Sequence, residues 1–134
     1  KNIVYSMAGF DTSNPSPTIV INDKNQKPFT GQYVYVENPE FQNNYVDKIV
    51  ANFKDGRLHG KLTSIYEIIA ENSLLIEKYN FNNGIRDGYF EIIKRDKRDD
   101  YYTKLFGEYK LGESDVRGER VITDDGEILE EELY

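Results

Sequence analysis

The chain has no cysteine, no tryptophan, one histidine, one methionine and four prolines among its 134 residues. The missing cysteine excludes disulfides, thiolate metal sites and a cysteine nucleophile. With His59 as the sole imidazole, no His pair can bind a metal, and any Ser-His-Asp relay must use that one side chain. Long apolar runs are also missing. Segments such as Ile68-Ile69-Ala70 and Leu74-Leu75-Ile76 fall far short of the roughly 18 residues that span a bilayer. Residues 1–13 lack the apolar centre of a signal peptide. The chain starts with Lys, so a cleaved leader would place it in the cell envelope or outside, and otherwise it is expected in the cytoplasm. Positive charge is in deficit, with 17 Lys+Arg against 24 Asp+Glu and a net charge of −7. That balance disfavours nucleic-acid backbones, which demand clustered cations, and it disfavours anionic lipid surfaces for the same reason.

Aromatics are plentiful, with 11 Tyr and 7 Phe. The length suits one domain able to bury a core without covalent staples. A repeat organises the chain. Gly31, Gly60 and Gly88 are 29 and 28 residues apart, and Gly118 follows after 30. Phe53, Phe81 and Tyr109 stand three residues before Gly56, Gly84 and Gly112. Tyr33, Leu62 and Phe90 stand two residues after Gly31, Gly60 and Gly88, and Val36, Ile65 and Ile93 stand five after them.

Each unit reads as two strands. The returning strands alternate, with Ile49, Ala51 and Phe53, then Leu75, Tyr79 and Phe81, then Leu105, Gly107 and Tyr109 on one side. The leading strands, 32–37, 61–70 and 89–94, are rich in Val, Ile and Tyr. Asp55-Gly56 and Asn83-Gly84 are turn pairs, because glycine takes positive φ without steric cost. The short links from Gly56 to Gly60 and from Gly84 to Gly88 read as glycine-bracketed turns joining neighbours. Residues 1–27 form an N-terminal strand and loop, with a strand over 18–22 and a loop over 13–17. Hairpin repeats occupy 28–56, 57–84 and 85–112. Residues 113–134 form a shortened capping hairpin with turn Asp124-Asp125-Gly126, followed by a Glu-rich tail. Polar turns of unequal length are expected at 39–44, 71–73 and 95–100. The expected fold is all-β, an elongated twisted antiparallel sheet of tandem hairpins whose core row is Phe53, Phe81 and Tyr109.

The glycine-closed link followed by an aromatic or Leu at plus two and an apolar residue at plus five resembles the bacterial variant of the MORN repeat, over roughly residues 28–126. The resemblance implies short hairpins stacked into one elongated sheet. It also implies a relation to antitoxin components, and hence an acidic inhibitor of a basic toxin. The present units are longer than the usual 22–24 residues. Plus five carries Val36, Ile65 or Ile93 in place of Tyr, and Arg120 occupies plus two after Gly118.

Little in the sequence points to chemistry. His59 reads as a polar link residue, aligned with Asp87 of the next unit. The calcium-loop pattern fails before Gly84 and Gly126. The stretch Gly56-Arg57-Leu58-His59-Gly60-Lys61-Leu62 has one residue too few between its glycines for a phosphate loop. It also has Leu where a hydroxyl belongs. Glu37, Glu67, Glu91 and Glu119 on leading strands could pair as a carboxylate dyad, but a chain with 24 acids places many this way. No catalytic residue, metal site or cofactor is therefore expected. The structural positions are Gly31, Gly56, Gly60, Gly84, Gly88 and Gly112 with the aromatic row. Tyr35, Tyr66 and Tyr89 are candidate contacts for a protein partner on an open sheet face. The expected role is a non-catalytic protein-binding or scaffolding module, with its oligomeric state open.

Overall fold

The computed structural model describes residues 2–4, 18–21, 25–37 and 45–134. The loops expected at 13–17 and 39–44 lie outside the described residues. A short parallel pair comes first, β1 (Asn2–Val4) with β2 (Thr18–Val20), the latter close to β5. The remaining strands are β3 (Gly31–Glu37), β4 (Tyr45–Lys54), β5 (Arg57–Ile68), β6 (Ser73–Asn82), β7 (Ile85–Arg86), β8 (Gly88–Asp96), β9 (Tyr101–Lys110), β10 (Glu113–Thr123) and β11 (Ile128–Leu133). They form one open antiparallel sheet of nine strands in the order β11-β10-β9-β8-β6-β5-β4-β3, with β7 on β6. Apart from β7 and β8, which follow one another along β6 as one interrupted strand, sequential neighbours pair, so the sheet is a meander of tandem hairpins. Among the described residues no helix is long and apolar enough to cross a membrane.

The turns explain the repeat. Asp55-Gly56, Asn83-Gly84 and Leu111-Gly112 all have positive φ, near 50° then 85°, and the flanking pairs Lys54–Arg57, Asn82–Ile85 and Lys110–Glu113 face each other. These are two-residue type I′ turns, whose twist matches the strands they join. Each turn is tied back to the start of its own unit. The amides of Gly56, Gly84 and Gly112 donate to the carbonyls of Phe29, Leu58 and Arg86, at 2.8, 2.8 and 3.2 Å. Thr30 Oγ1 and His59 Nδ1 accept the amides of Asp55 and Asn83, at 3.0 and 3.2 Å. The only histidine therefore caps a turn.

Leu111 is the misfit. It holds φ 53° with its side chain 92% exposed, where the other units have Asp and Asn. Leu111→Asn is expected to stabilise the protein by about 1 kcal/mol, because Asn tolerates the left-handed region far better than Leu. Equilibrium urea unfolding would measure this, and an unchanged midpoint counts against it.

The structure corrects several expectations. The links from Gly56 to Gly60 and from Gly84 to Gly88 are not loops, because the chain reverses over two residues and β5 is already running at Arg57. Gly60 and Gly88, at φ 88° and 97°, instead absorb irregularities inside the leading strands. The register of β4 on β5 shifts between Ala51 and Phe53, and Asp87 separates β7 from β8. Residues 69–70 leave the strand for a single 3-10 turn (Ile69–Glu71), closed by Asn72 at φ 53°. The last hairpin is not stunted on its first side, since β10 runs eleven residues, and the Glu-rich tail is itself strand β11. Gly118 does not continue the positive-φ series. It is buried in a β10 irregularity where an added Cβ would meet Glu132 O at 2.7 Å and Phe106 at 3.0 Å.

Antiparallel pairing sets opposite residues on one face, so the register reads as rows. Phe53, Phe81 and Tyr109 stand opposite Gly31, Gly60 and Gly88 of their own units. Glycine and aromatic keep step because they are cross-strand partners. The core gathers on this face at the glycine-turn end: Ala51, Phe53, Leu58, Leu62, Tyr79, Phe81 and Phe90 are buried, with Phe29, Tyr33, Ile49, Ile92, Tyr109 and Val116 packed around them.

Candidate interaction surface

Moving along the strands away from the glycine turns, the core-bearing face becomes wet. One row runs Tyr35, Ile49, Ser64, Glu77, Ile92, Leu105 and Glu119, and the next runs Glu37, Asp47, Tyr66, Leu75, Lys94, Thr103 and Val121. Here the face opens into a groove of about 540 Å³ whose apolar floor includes Tyr66, Ile68, Leu75 and Tyr101, with Lys94 and Asp96 at its polar side. Tyr66 is 37% and Tyr101 39% exposed.

Beside the groove lies a phenol–carboxylate cluster. Tyr35 and Tyr45 both donate to Glu37, at 2.7 and 3.1 Å, and the rings of Tyr45 and Tyr66 are 5.8 Å apart. The hydrogen bonds to Glu37 raise both phenols above their ordinary pKa. Burial, then the charge of Glu37, raises the Asp47 carboxyl. The carboxylates of Glu37 and Asp47 are cross-strand neighbours, so the pair can accept hydrogen-bond donors from a partner. Across the groove, hydrogen bonds from the Arg98 side chain and backbone lower Asp96 to about 2, which orders the turn at the groove's rim.

At the turn end of the core, opposite Phe81, Arg86 crosses the aromatic layer. Its guanidinium lies 3.9 Å from the centre of the Tyr79 ring, and Nη1 donates to the Tyr109 hydroxyl at 3.2 Å. Arg86 occupies the place taken by Phe29 and Leu58 in earlier units. Cation–π stacking lets a charged head serve there. The Tyr79 hydroxyl donates to Glu77 at 2.9 Å. Burial pushes the Tyr79 phenol far above its usual range, and the charge of Glu77 adds to the rise.

This shift carries a sign. A phenol raised in the folded state contributes stability in full below its unfolded value near 10, and loses it as the pH climbs through the folded value. The protein is therefore expected to lose stability from about pH 10 upward. Tyr79→Phe should flatten that decline while costing roughly 1 kcal/mol at neutral pH for the lost hydrogen bond. Thermal unfolding from pH 8 to 11 tests this, and an equally steep decline in the variant counts against it.

The predicted residues fall in distinct places. The six repeat glycines and the three aromatics sit at the turn end, in the core's framework. Tyr35 and Tyr66 share the core-bearing face near the groove. Tyr89, 45% exposed, lies on the opposite face, where its carbonyl accepts Asn80 Nδ2 at 2.9 Å, so the three tyrosines do not form one surface. The four leading-strand carboxylates are likewise divided. Glu67 pairs with Lys97 at 2.5 Å, and Glu91 pairs with Lys104 at 3.0 Å, both on the far face. Sequence reasoning missed Tyr45, Tyr101 and Arg86. Only Arg86 left a signal, standing two residues before Gly88 as Leu58 stands before Gly60. Among the described residues no group of three or more His, Asp or Glu side chains is arranged to hold a metal.

The net charge is also segregated. Residues 113–134 hold nine acids against two bases, while the first 112 residues hold fifteen of each. The entire −7 therefore belongs to the β10–β11 hairpin. Comparison with protein-family models, curated proteins and solved structures finds no match.

Proposed function

We propose that this chain is a non-catalytic protein-binding or scaffolding module that offers an extended β-sheet surface to another protein. The observation that carries the reading is the open groove floored by Tyr66, Ile68, Leu75 and Tyr101. Tyrosine supplies broad contact area at modest entropy cost, and a wide, unenclosed trough suits a polypeptide better than a small substrate. A photo-crosslinking amino acid placed at Tyr66 or Tyr101 tests it in the source cell. One discrete crosslinked protein, lost when Leu75 is changed to Lys, supports the reading. Crosslinks no different from those of a site on the far face, such as Val36, count against it.

The segregated acidity favours a second reading, an acidic inhibitor of a basic toxin. Co-expression with a basic, growth-arresting protein encoded beside this gene should then restore growth. Failure to do so removes that reading without touching the first.

A further inference from the structure

Resting on the protein-binding reading, we propose that the outer edge of β11 takes up a cationic extended segment of a partner protein as an added strand. Three observations converge there. Strand β11 ends the sheet, and among the described residues no strand pairs with its outer side. All six of its residues are exposed, with Ile128 50%, Leu129 53% and Leu133 63% accessible around Glu130, Glu131 and Glu132. The charge of the whole chain is concentrated in this hairpin.

The register says which backbone groups are available. Tyr134 N–H donates to Arg117 O at 2.9 Å, and Gly118 stands opposite Leu133. Antiparallel pairs alternate between bonded and non-bonded. Leu133 and Glu131 are therefore the non-bonded members, and their N–H and C=O groups point outward. The side chains divide by face. Glu131 is held by Arg120 at 2.6 Å, while no described residue forms an ion pair with Glu130 or Glu132. These two share one face with Glu119, across a cleft of about 490 Å³ along the hairpin.

A strand with Lys or Arg at alternate positions would meet the outward backbone groups and set its cations against Glu130 and Glu132. Its intervening apolar residues would run on the face of Leu133 and Ile128, beside the Arg120–Glu131 pair. A second copy of β11 would instead bring Glu against Glu, so the same charges that repel self-association select the cationic partner. The other sheet edge, β3, exposes Val34 and Val36 and carries one Glu at its end. It has no comparable selectivity and serves as the internal control.

The test is NMR titration of the full chain with a synthetic peptide alternating Lys and Val. Two companion peptides are used: one alternating Glu and Val, and one of the Lys/Val sequence N-methylated along its pairing edge. The expected result is slowed amide exchange at Glu131 and Leu133, no binding of the Glu peptide and loss of binding on N-methylation. The variant E130K/E132K should bind roughly tenfold more weakly, and raised salt should weaken binding to the unaltered chain. Both substitutions are at exposed positions and leave the Arg120–Glu131 pair in place, so the variant's own spectrum checks its fold. Equal binding of the N-methylated peptide overturns strand addition, because charge alone would then suffice. Shifts centred on β3, or on Tyr35 and Tyr66, overturn the location while leaving the broader reading intact. No binding of the Lys/Val peptide overturns the proposal, and the photo-crosslinking experiment still decides the broader reading by itself.

Discussion

Gly107→Ala is expected to destabilise the protein by at least about 3 kcal/mol, toward the upper end of what a single added methyl does in a packed interior. A Cβ at this position would drive into the backbone carbonyl of Asp115, with Val116 Cα at 2.9 Å and Phe90 at 3.0 Å. Gly107 pairs with Val116 just before the β10 register shifts to Gly118, so the neighbouring backbone is pressed inward there. A flexible side chain could swing aside, but a carbonyl held in a ladder cannot without loss of pairing on both strands. Trimming Phe90 to Leu relieves only the side-chain contact. The cost of Gly107→Ala should therefore persist in that background. Urea unfolding of the four proteins in the cycle decides it, and a cost below about 1 kcal/mol for the single variant would show that the strands part easily.

Phe90→Ala should cost roughly 3–5 kcal/mol, the usual range for emptying a buried phenylalanine site. Phe90 is 3% exposed, its ring centre lies 4.9 Å from that of Tyr109 and 6.3 Å from that of Tyr79, and it fills the space above Gly107. Such a loss approaches the whole stability of many domains, about 5–15 kcal/mol. The hairpins stack in one dimension, so the damage should appear first as loss of β8–β11, with β3–β6 retained longer. Hydrogen exchange resolved by residue distinguishes this from uniform unfolding. Uniform loss would mean that the array behaves as one cooperative block.

Much of this architecture could be read from residue order. Two-residue turns with positive φ select Asp-Gly and Asn-Gly, and a ring lying opposite glycine selects the spacing of Gly31 from Phe53 and of Gly60 from Phe81. Period-two alternation then separates Ala51 and Phe53 from Asn52 and Lys54. These preferences act within a hairpin, so they are written locally. In sequence Gly60 and Gly88 look like turn residues although they lie in strand irregularities, because positive φ leaves the same mark in a reversal and in a bulge.

The candidate surfaces were less legible. Tyr35, Tyr66 and Tyr89 look equivalent in a list of strand residues, yet register sends Tyr89 to the other face, and a shift of one residue exchanges every side chain. Tyr45 and Glu37 meet only because β3 and β4 pair, and Tyr101 reaches the groove only because β8 and β9 do. Residue order alone determined the hairpins, their turns, the all-β class and the store of acid near the end of the chain, because each follows from short-range sterics or from composition. Tertiary structure decided which tyrosines share a face and how Arg86 lies among rings. It also made the acidic segment an open edge rather than a tail, because these depend on pairing between strands far apart in sequence, which local preference cannot specify.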